Sequence, residues 1–201
     1  MAGVKALALT PSGTMLYAGL DGGSVYQTRI DNRLGVMTEF YNPSLDYYFI
    51  TSRAADAALL DTLTAWRRTG QSFSVYIAQE PGTLGISRYF FDQIAVNKSR
   101  GSHFYTLVQS EKDALAAQNP GNRQTPGLPF NEGFDSYAFA PLIEGVGGSC
   151  AAGLRPVYRI FRGQNRFPDN PNHRFTTDLS IYNSFVALGW NGEGVKFCVP
   201  S

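Results

Sequence analysis

The sequence predicts a β-rich α+β fold of three ββαβ-like repeats in a pseudo-threefold arrangement, preceded by a short β-meander. Aromatic residues make up 13% of the 201 residues, with 14 Phe, 11 Tyr and 2 Trp. The chain also holds 21 Gly and 11 Pro, which favour short strands joined by turns. The third observation is an aromatic pattern that occurs three times in the same order, which indicates an internal repeat.

Composition excludes several classes of protein. Hydrophobic residues make up 43% and charged residues 16%, so a coiled coil or a disordered tail is excluded. The net charge is +1 and there is no block of Lys and Arg, so we expect no nucleic-acid partner. No apolar run approaches the roughly 18 residues that a membrane-spanning helix needs, so we expect no membrane insertion.

Residues 1–35 are predicted to form a partial propeller-like β-meander. The strand-like segments are 4–9, 14–18 and 24–28, and Gly-containing turns lie between them. This spacing resembles one blade of a β-propeller. A lone blade cannot bury both faces, so we expect either the last blade of a truncated propeller or a hairpin recruited onto the following domain.

Residues 36–201 are predicted to form a three-repeat domain, with repeats at about 36–79, 86–140 and 155–200. In each repeat two aromatic stretches are expected to pair as a hairpin, and a closing strand is expected near a glycine: Gly70, Gly133 and Gly194. The second stretch of each hairpin ends in a threonine: Thr51, Thr106 and Thr176. We expect these hydroxyls to bond the backbone before a helix.

A helix is predicted after each threonine. Amphipathic stripes are formed by Leu59, Leu60, Leu63 and Trp66 in the first repeat and by Ile181, Phe185 and Leu188 in the third. Gly189 is expected at the C′ position of the third helix. In the second repeat Ser110 is the expected N-cap, with the acid Asp113 at N3.

Cys150 and Cys198 are predicted to form one disulfide that closes a loop of 48 residues; a pair of buried free thiols is the alternative. A disulfide favours a secreted or cell-surface location. The N-terminus lacks the basic and apolar regions of a signal peptide. We therefore expect either a piece of a larger exported protein or a misplaced start, and we favour the piece.

Five segments resemble an extracellular aromatic-rich repeat of unknown function that occurs at the C-termini of secreted bacterial proteins. They are Glu39-Phe-Tyr-Asn-Pro43, Ser102-His-Phe-Tyr-Thr106, Pro156-Val-Tyr-Arg159, Asn172-His-Arg-Phe-Thr-Thr-Asp178 and Gly194-Val-Lys-Phe-Cys-Val-Pro200. The resemblance implies an exported, non-catalytic accessory module for carbohydrate or cell wall. The first copy departs from the family in having Tyr48 where His is preferred, and the second lacks a clear Gly-Trp.

His103 and His173 occupy the same position in their repeats. They would hold a ligand hydroxyl or a metal, or each would satisfy a neighbouring loop carbonyl through a ring N–H. We favour the structural role, because two isolated histidines make an incomplete zinc site and Tyr48 stands at the same place in the first repeat. No metal or other cofactor is expected.

The candidate ligand-binding residues are exposed aromatic rings and polar residues of the hairpin loops. The rings are Tyr47, Phe91 and Phe167, and the polar residues are Asp46, Asn97, Arg100, Asn165, Arg166 and Asp169, together with His103 and His173. Sugar sites combine aromatic faces with such hydrogen-bonding groups. An equally strong alternative is that the rings merely cover the hairpins.

No catalytic motif is visible, and the repeats share no acid at a fixed position, which disfavours a hydrolase. The segment Gly145-Val-Gly-Gly148 is predicted to be a flexible linker. The first hypothesis is a secreted, non-catalytic binding module for glycan or a cell-surface polymer. The second is a structural unit that contacts upstream domains of a parent chain or forms a homo-oligomer, and the third is a hydrolase.

Overall fold

The computed structural model describes residues 4–9, 15–29, 33–92, 101–163 and 171–201. The β-rich class is confirmed, because these residues form twelve strands and three helices. All of the described strand pairs are antiparallel. Contacts divide the chain into two compact regions, 1–35 and 36–201.

The first region is a three-stranded meander, as predicted. Its strands are β1 (Val4–Leu9), β2 (Met15–Leu20) and β3 (Val25–Arg29), paired in chain order. Gly22 and Gly23 make the turn between β2 and β3 with φ of 94° and 80°, which glycine adopts without strain.

The elements of the second region follow the order strand, strand, helix, strand three times, and we name these three segments repeat one, repeat two and repeat three. Repeat one consists of β4 (Leu34–Asn42), β5 (Tyr47–Thr51), α1 (Ala54–Thr62) and β6 (Arg67–Tyr76). Repeat two consists of β7 (Leu84–Phe91), β8 (Ser102–Thr106), α2 (Gln109–Gln118) and β9 (Pro129–Ala138). Repeat three consists of β10 (Leu154–Arg162), β11 (Asn172–Thr176), α3 (Leu179–Ala187) and β12 (Asn191–Pro200).

In each repeat the first strand is central, with the second and third strands on either side. Repeats one and two form one six-stranded sheet in the order β5-β4-β6-β9-β7-β8, and repeat three forms the sheet β11-β10-β12. The predicted hairpins are therefore present, and their registers correspond: Tyr41 pairs with Tyr48, Phe90 with His103, and Phe161 with His173.

Each hairpin ends on the predicted threonine. The hydroxyl oxygens of Thr51, Thr106 and Thr176 each accept the backbone N–H two residues later, at 3.0, 2.9 and 3.0 Å. This bond turns the chain from the strand into the helix, so the predicted structural role is confirmed.

The predicted extent of the first helix is wrong. α1 ends at Thr62, and Leu63 already has an extended backbone as its C-cap, so Trp66 lies between the helix and β6. Leu59 is 60% exposed and Leu63 42% exposed, whereas Leu60 and Trp66 pack against the core. The amphipathic pattern predicts too long a helix, because the backbone becomes extended at Leu63, ahead of β6.

The predicted start of the second helix is also wrong. α2 has Val108 as its N-cap residue, without a side-chain cap, so Ser110 lies inside the helix. The capping arrangement occurs instead in repeat three, where the Asp178 carboxylate accepts the N–H groups of Ser180 and Ile181 at 2.7 and 3.3 Å. Gly189 follows α3 with φ of 93°, which confirms its C′ position.

The core of the second region receives side chains from all three repeats. Ile50, Tyr105 and Phe175 occupy the same position in β5, β8 and β11, and all are at most 2% exposed. The Tyr105 hydroxyl donates to the Ile50 carbonyl oxygen, and the Tyr105 and Phe175 ring centroids are 5.4 Å apart. The second strands of the three repeats therefore meet in one core.

The predicted disulfide between Cys150 and Cys198 is confirmed, with the two Cα atoms 5.8 Å apart. The preceding segment, Gly145-Val-Gly-Gly148, is predicted to be a flexible linker, and this prediction is wrong. It forms a turn that pairs with β12. The Gly145 and Val195 backbones exchange two hydrogen bonds of 2.9 Å, and a Cβ on Gly194 would lie 1.9 Å from the Gly145 carbonyl carbon. Glycine is therefore required at position 194.

Among the described residues, no helix has both the length and the apolar character needed to cross a bilayer.

Candidate functional site

The structure places only part of the predicted loop site. Six of the candidate residues lie outside the described residues: Asn97, Arg100, Asn165, Arg166, Phe167 and Asp169. Phe91 is half-buried at the end of β7, and it lines a cavity beside His173. The rest of the site is therefore built from the hairpins and the contacts between repeats.

The prediction that Tyr47 is an exposed ring is wrong, because Tyr47 is only 3% exposed. The Arg162 guanidinium of repeat three lies 5.7 Å from its ring centroid and covers it. Asp46 remains exposed, but its carboxylate accepts the Tyr41 hydroxyl at 2.8 Å and pairs with Arg162. Asp46 and Tyr47 thus form part of a contact between repeats one and three.

His103 lies between two aromatic rings at the contact between repeats one and two. Its ring centroid is 4.8 Å from that of Phe90 on the paired strand and 4.6 Å from that of Phe49 in repeat one. Its Nε2 atom is 3.3 Å from a carboxylate oxygen of Glu132 on β9. A glutamate, rather than the expected loop carbonyl, thus faces the imidazole.

His173 has the same surroundings at the contact between repeats two and three. Its ring is stacked on Phe161 at 4.4 Å, and it meets the edge of Phe104 of repeat two at 4.9 Å. Its Nε2 atom is 3.8 Å from the Glu193 carboxylate on β12. The two histidines therefore sit in equivalent positions at successive contacts.

A buried arginine contacts the same glutamate as each histidine. Arg159, 2% exposed, donates to Glu193 at 2.7 and 3.2 Å and to Glu111 at 2.9 and 2.7 Å. Arg88, 5% exposed, donates to Glu132 at 2.9 Å and pairs with Asp56. We call these sets the His173 cluster (His173, Glu193, Arg159, Glu111) and the His103 cluster (His103, Glu132, Arg88, Asp56, Asp135).

Acidic residues recur at equivalent positions in two of the three repeats, although none of these positions is acidic in all three. Glu132 and Glu193 each precede a glycine of positive φ, Gly133 and Gly194, in the closing strand. In the same way, Asp56 and Glu111 each stand five residues after a hairpin threonine. Repeat one has Thr69 before its glycine, and repeat three has Ile181 five residues after its threonine. Each acidic position is therefore occupied by an acid in only two repeats, which makes it hard to recognise in the sequence.

The contact between repeats three and one carries the reverse charges. Glu39 stands at the position of Arg88 and Arg159, and Arg174 stands at the position of Phe49 and Phe104. Arg174 donates to the Glu39 carboxylate at 2.8 and 2.9 Å, and its guanidinium lies 4.1 Å from the Tyr48 ring centroid. Thus Tyr48 replaces histidine and packs under arginine.

Two contacts between repeats contain cavities. One of about 330 Å³ is lined by Phe91, Phe104, Glu111, Ala114, Leu115, Arg159, His173 and Glu193, and we call it the His173 pocket. Another of about 220 Å³ lies beside His103, where Phe49 and Leu60 correspond to Phe104 and Leu115. At the third contact the Tyr48 ring packs against Phe185 at 5.6 Å, so side chains fill the equivalent space.

Burial and charge set the ionisation of both clusters. Burial lowers the pKa of His103, and burial together with the Arg159 charge holds the pKa of His173 well below its ordinary value, so both imidazoles are neutral at pH 7. Burial opposes ionisation of Glu111, but the bond and charge of Arg159 outweigh it and the pKa is lowered. Glu111 therefore faces the pocket as a carboxylate that accepts hydrogen bonds.

Within the described ranges, no group of three or more His, Cys, Asp or Glu side chains has an arrangement that could hold a metal ion.

Comparison with known proteins bears on the family alone. No curated protein and no solved structure matches the chain. One family, described as "Domain of unknown function (DUF5648)", matches residues 21–125 and 142–200, which include most of the three repeats and the whole His173 cluster. The chain therefore belongs to the DUF5648 family.

Proposed function

We propose that residues 36–201 form a secreted, non-catalytic module that binds carbohydrate at the contacts between its repeats. The observation that carries this proposal is the His173 pocket, where the Phe91 and Phe104 side chains meet the carboxylates of Glu111 and Glu193 in one cavity. Pyranose rings present C–H groups that pack on aromatic faces and hydroxyls that donate to carboxylates. The disulfide is compatible with an extracellular location.

The charge of the pocket favours a neutral sugar. Arg159 is held by two carboxylates and is 3% exposed in its side chain, whereas the side chains of Glu111 and Glu193 are 26% and 23% exposed. Lys196 lies 3.8 Å from Glu111 but is only 12% exposed and also pairs with Glu144. A ligand thus meets acceptor oxygens before it meets a cation, which favours hydroxyl donors over anions.

We further propose that the three repeats surround a pseudo-threefold axis. Three cyclic contacts support it: Arg88 lies over Phe49 at 5.6 Å, Arg159 lies over Phe104 at 4.5 Å, and Glu39 pairs with Arg174 at 2.8 Å. Each joins the first strand of one repeat to the second strand of another. A second cavity beside His103 in the same region would strengthen the binding of a polymer.

Blocking the mouth of the His173 pocket tests the proposal. Ala114 is exposed on α2 and lines the pocket, so Ala114→Trp is expected to fill it without unfolding the chain. We expect titration calorimetry with neutral mono- and disaccharides to show a loss of affinity of about tenfold or more. The control is Ala116→Trp, at an exposed position of the same helix that does not line the pocket.

Failure of the unmodified chain to bind any neutral saccharide of the panel would overturn the proposal, and so would equal effects of the two tryptophan substitutions.

A second candidate function is assembly, and one observation in the first region favours it. Leu7, Ala18 and Tyr26 are opposite one another across β1, β2 and β3, and Leu7 and Tyr26 are 65% and 66% exposed. An apolar sheet face of this kind would pack on a neighbouring sheet, as the propeller resemblance implies. Sedimentation velocity over a range of concentrations tests this. Association of copies of the chain would increase the sedimentation coefficient as the protein concentration increases.

A further inference from the structure

Repeat two carries a third cavity, distinct from the His103 and His173 clusters. It has a volume of about 580 Å³ and lies among β7, the start of α2, β9 and the segment 140–144. We call it the Phe134 groove. Its lining includes Gly85, Lys112, Phe134 and Tyr137, and it shares no lining residue with the His173 pocket.

Phe134 is an exposed ring that is nevertheless held in a fixed position. It is 54% exposed, but a Cβ built on Gly85 would lie 2.7 Å from its ring, so the ring lies directly on the Gly85 backbone. The Tyr137 ring centroid lies 5.8 Å away, and the Lys112 Nζ lies 5.4 Å from the Phe134 centroid. An aromatic surface held from below and open to solvent is suited to stacking on a ligand.

Lys112 supplies a positive charge that lacks an acidic partner. Its Nζ donates to the Gly85 carbonyl oxygen at 2.8 Å. Within the described part of the chain, no carboxylate oxygen lies within the 4.0 Å of an ion pair with it. An ammonium group has three donors, so two remain for a ligand.

The other polar groups of the groove are amides and one acid. Gln79 and Gln109 line it, and the Gln109 amide also donates to Asp113 at 2.8 Å. The acid is Glu144, which pairs with Lys196 at 2.8 Å, so its charge is compensated. Lys112 is therefore the charge of this groove that has no partner of opposite sign among the described residues.

We propose that the Phe134 groove binds an acidic pyranose, such as a uronic acid residue of a polysaccharide. The sugar ring stacks on Phe134, the carboxylate pairs with Lys112, and the hydroxyls bond the glutamine amides. Burial lowers the pKa of Lys112, and a carboxylate placed beside the ammonium would counter that effect. This site is independent of the neutral-sugar pocket, because different residues line the two cavities.

The test compares methyl β-D-glucuronide with methyl β-D-glucoside, which differ only in the carboxylate, by amide NMR of the full, disulfide-bonded chain. The glucuronide is expected to bind about tenfold more tightly, or more, and to shift the amides of Gly85, Phe134 and Tyr137. Lys112→Met is expected to abolish this preference, and Lys112→Arg to keep most of it. The control is Lys5→Met, which removes an exposed charge in the first region.

Phe134→Ala is expected to weaken the binding of both sugars, while Phe134→Trp retains it. Equal affinities for the two sugars in the unmodified chain would overturn the proposal. So would unchanged binding by Lys112→Met, competition by acetate as strong as by the glucuronide, or a Phe134→Ala variant that loses stability but not affinity. Ala114→Trp is expected to leave glucuronide binding unchanged, so the two sites fail or succeed separately.

Discussion

At the residue scale, the chain buries a charged side chain at one position of every repeat: Glu39, Arg88 and Arg159. Removing a charge from water is unfavourable unless partners replace the solvent, and each of these residues has them. Arg159, for example, is held by carboxylates from both its own repeat and the preceding one. These residues are therefore where the repeats recognise each other.

The neutral histidines give a pH dependence at this scale. Because burial lowers the pKa of His103 and His173, the unfolded chain binds protons more readily than the folded chain does. The contribution of the neutral histidines to the free energy of unfolding is therefore fully present above pH 6.5, the ordinary pKa of histidine. This contribution is lost as the pH falls below that value. We expect a slope of at most about 1.4 kcal/mol per pH unit for each histidine.

Urea unfolding between pH 7 and pH 5 measures this slope. The chain supplies its own control substitution, since Tyr48 occupies the same position in repeat one. The variant with His103→Tyr and His173→Tyr should show a flatter dependence in this range. An unchanged slope would mean that the histidines are not the titrating groups.

Residue identities alone located the two histidines but not their partners. The equivalence of His103 and His173 follows from their place in the repeated pattern. Their partners belong to other elements: Glu111 and Arg159 are 48 residues apart, and Asp46 and Arg162 are 116 apart. The sequence predicts an exposed Tyr47 because polar loop residues flank it, and the arginine that covers it comes from another repeat.

At the element scale, local signals predicted the elements well and their ends less well. The hairpins and closing strands follow from aromatic alternation, threonine and glycine, which act over a few residues. The bounds of α1 and α2 were wrong because chain geometry between strand and helix decides them. The Trp66 position, for example, depends on where β6 must begin.

The contact between repeats three and one offers a test at this scale. Glu39→Arg alone would set two buried guanidinium groups, at positions 39 and 174, against each other, and we expect it to cost about 3–5 kcal/mol of unfolding free energy. Adding Arg174→Phe and Thr69→Glu would restore two of the partners found at the other two contacts, with Ile181 still at the position of Asp56 and Glu111. We expect the triple variant to recover at least half of the loss in urea unfolding.

Glu39→Gln serves as the control, because it removes the charge and keeps the shape. If the triple variant were no more stable than Glu39→Arg alone, the three contacts would not be equivalent.

At the scale of the whole molecule, the disulfide stabilises the second region by restricting its unfolded state. It closes a loop of 48 residues that contains most of repeat three, and Cys198 is fully buried. Replacing both cysteines by alanine is expected to lower the free energy of unfolding by about 4 kcal/mol. Urea unfolding of this variant and of the oxidised parent measures the difference, and a change under about 1 kcal/mol would contradict the prediction.

The reversed charges between Glu39 and Arg174 also limit how copies of this chain can combine. If repeat two or three of one molecule docked on repeat three of another, Arg88 or Arg159 would meet Arg174, and like charges would be buried together. If repeat one docked on repeat one or two, Glu39 would meet Phe49 or Phe104 and lose its partner. Permuted orders of the repeats are thereby disfavoured, because Glu39 of repeat one finds its charge partner in Arg174 of repeat three.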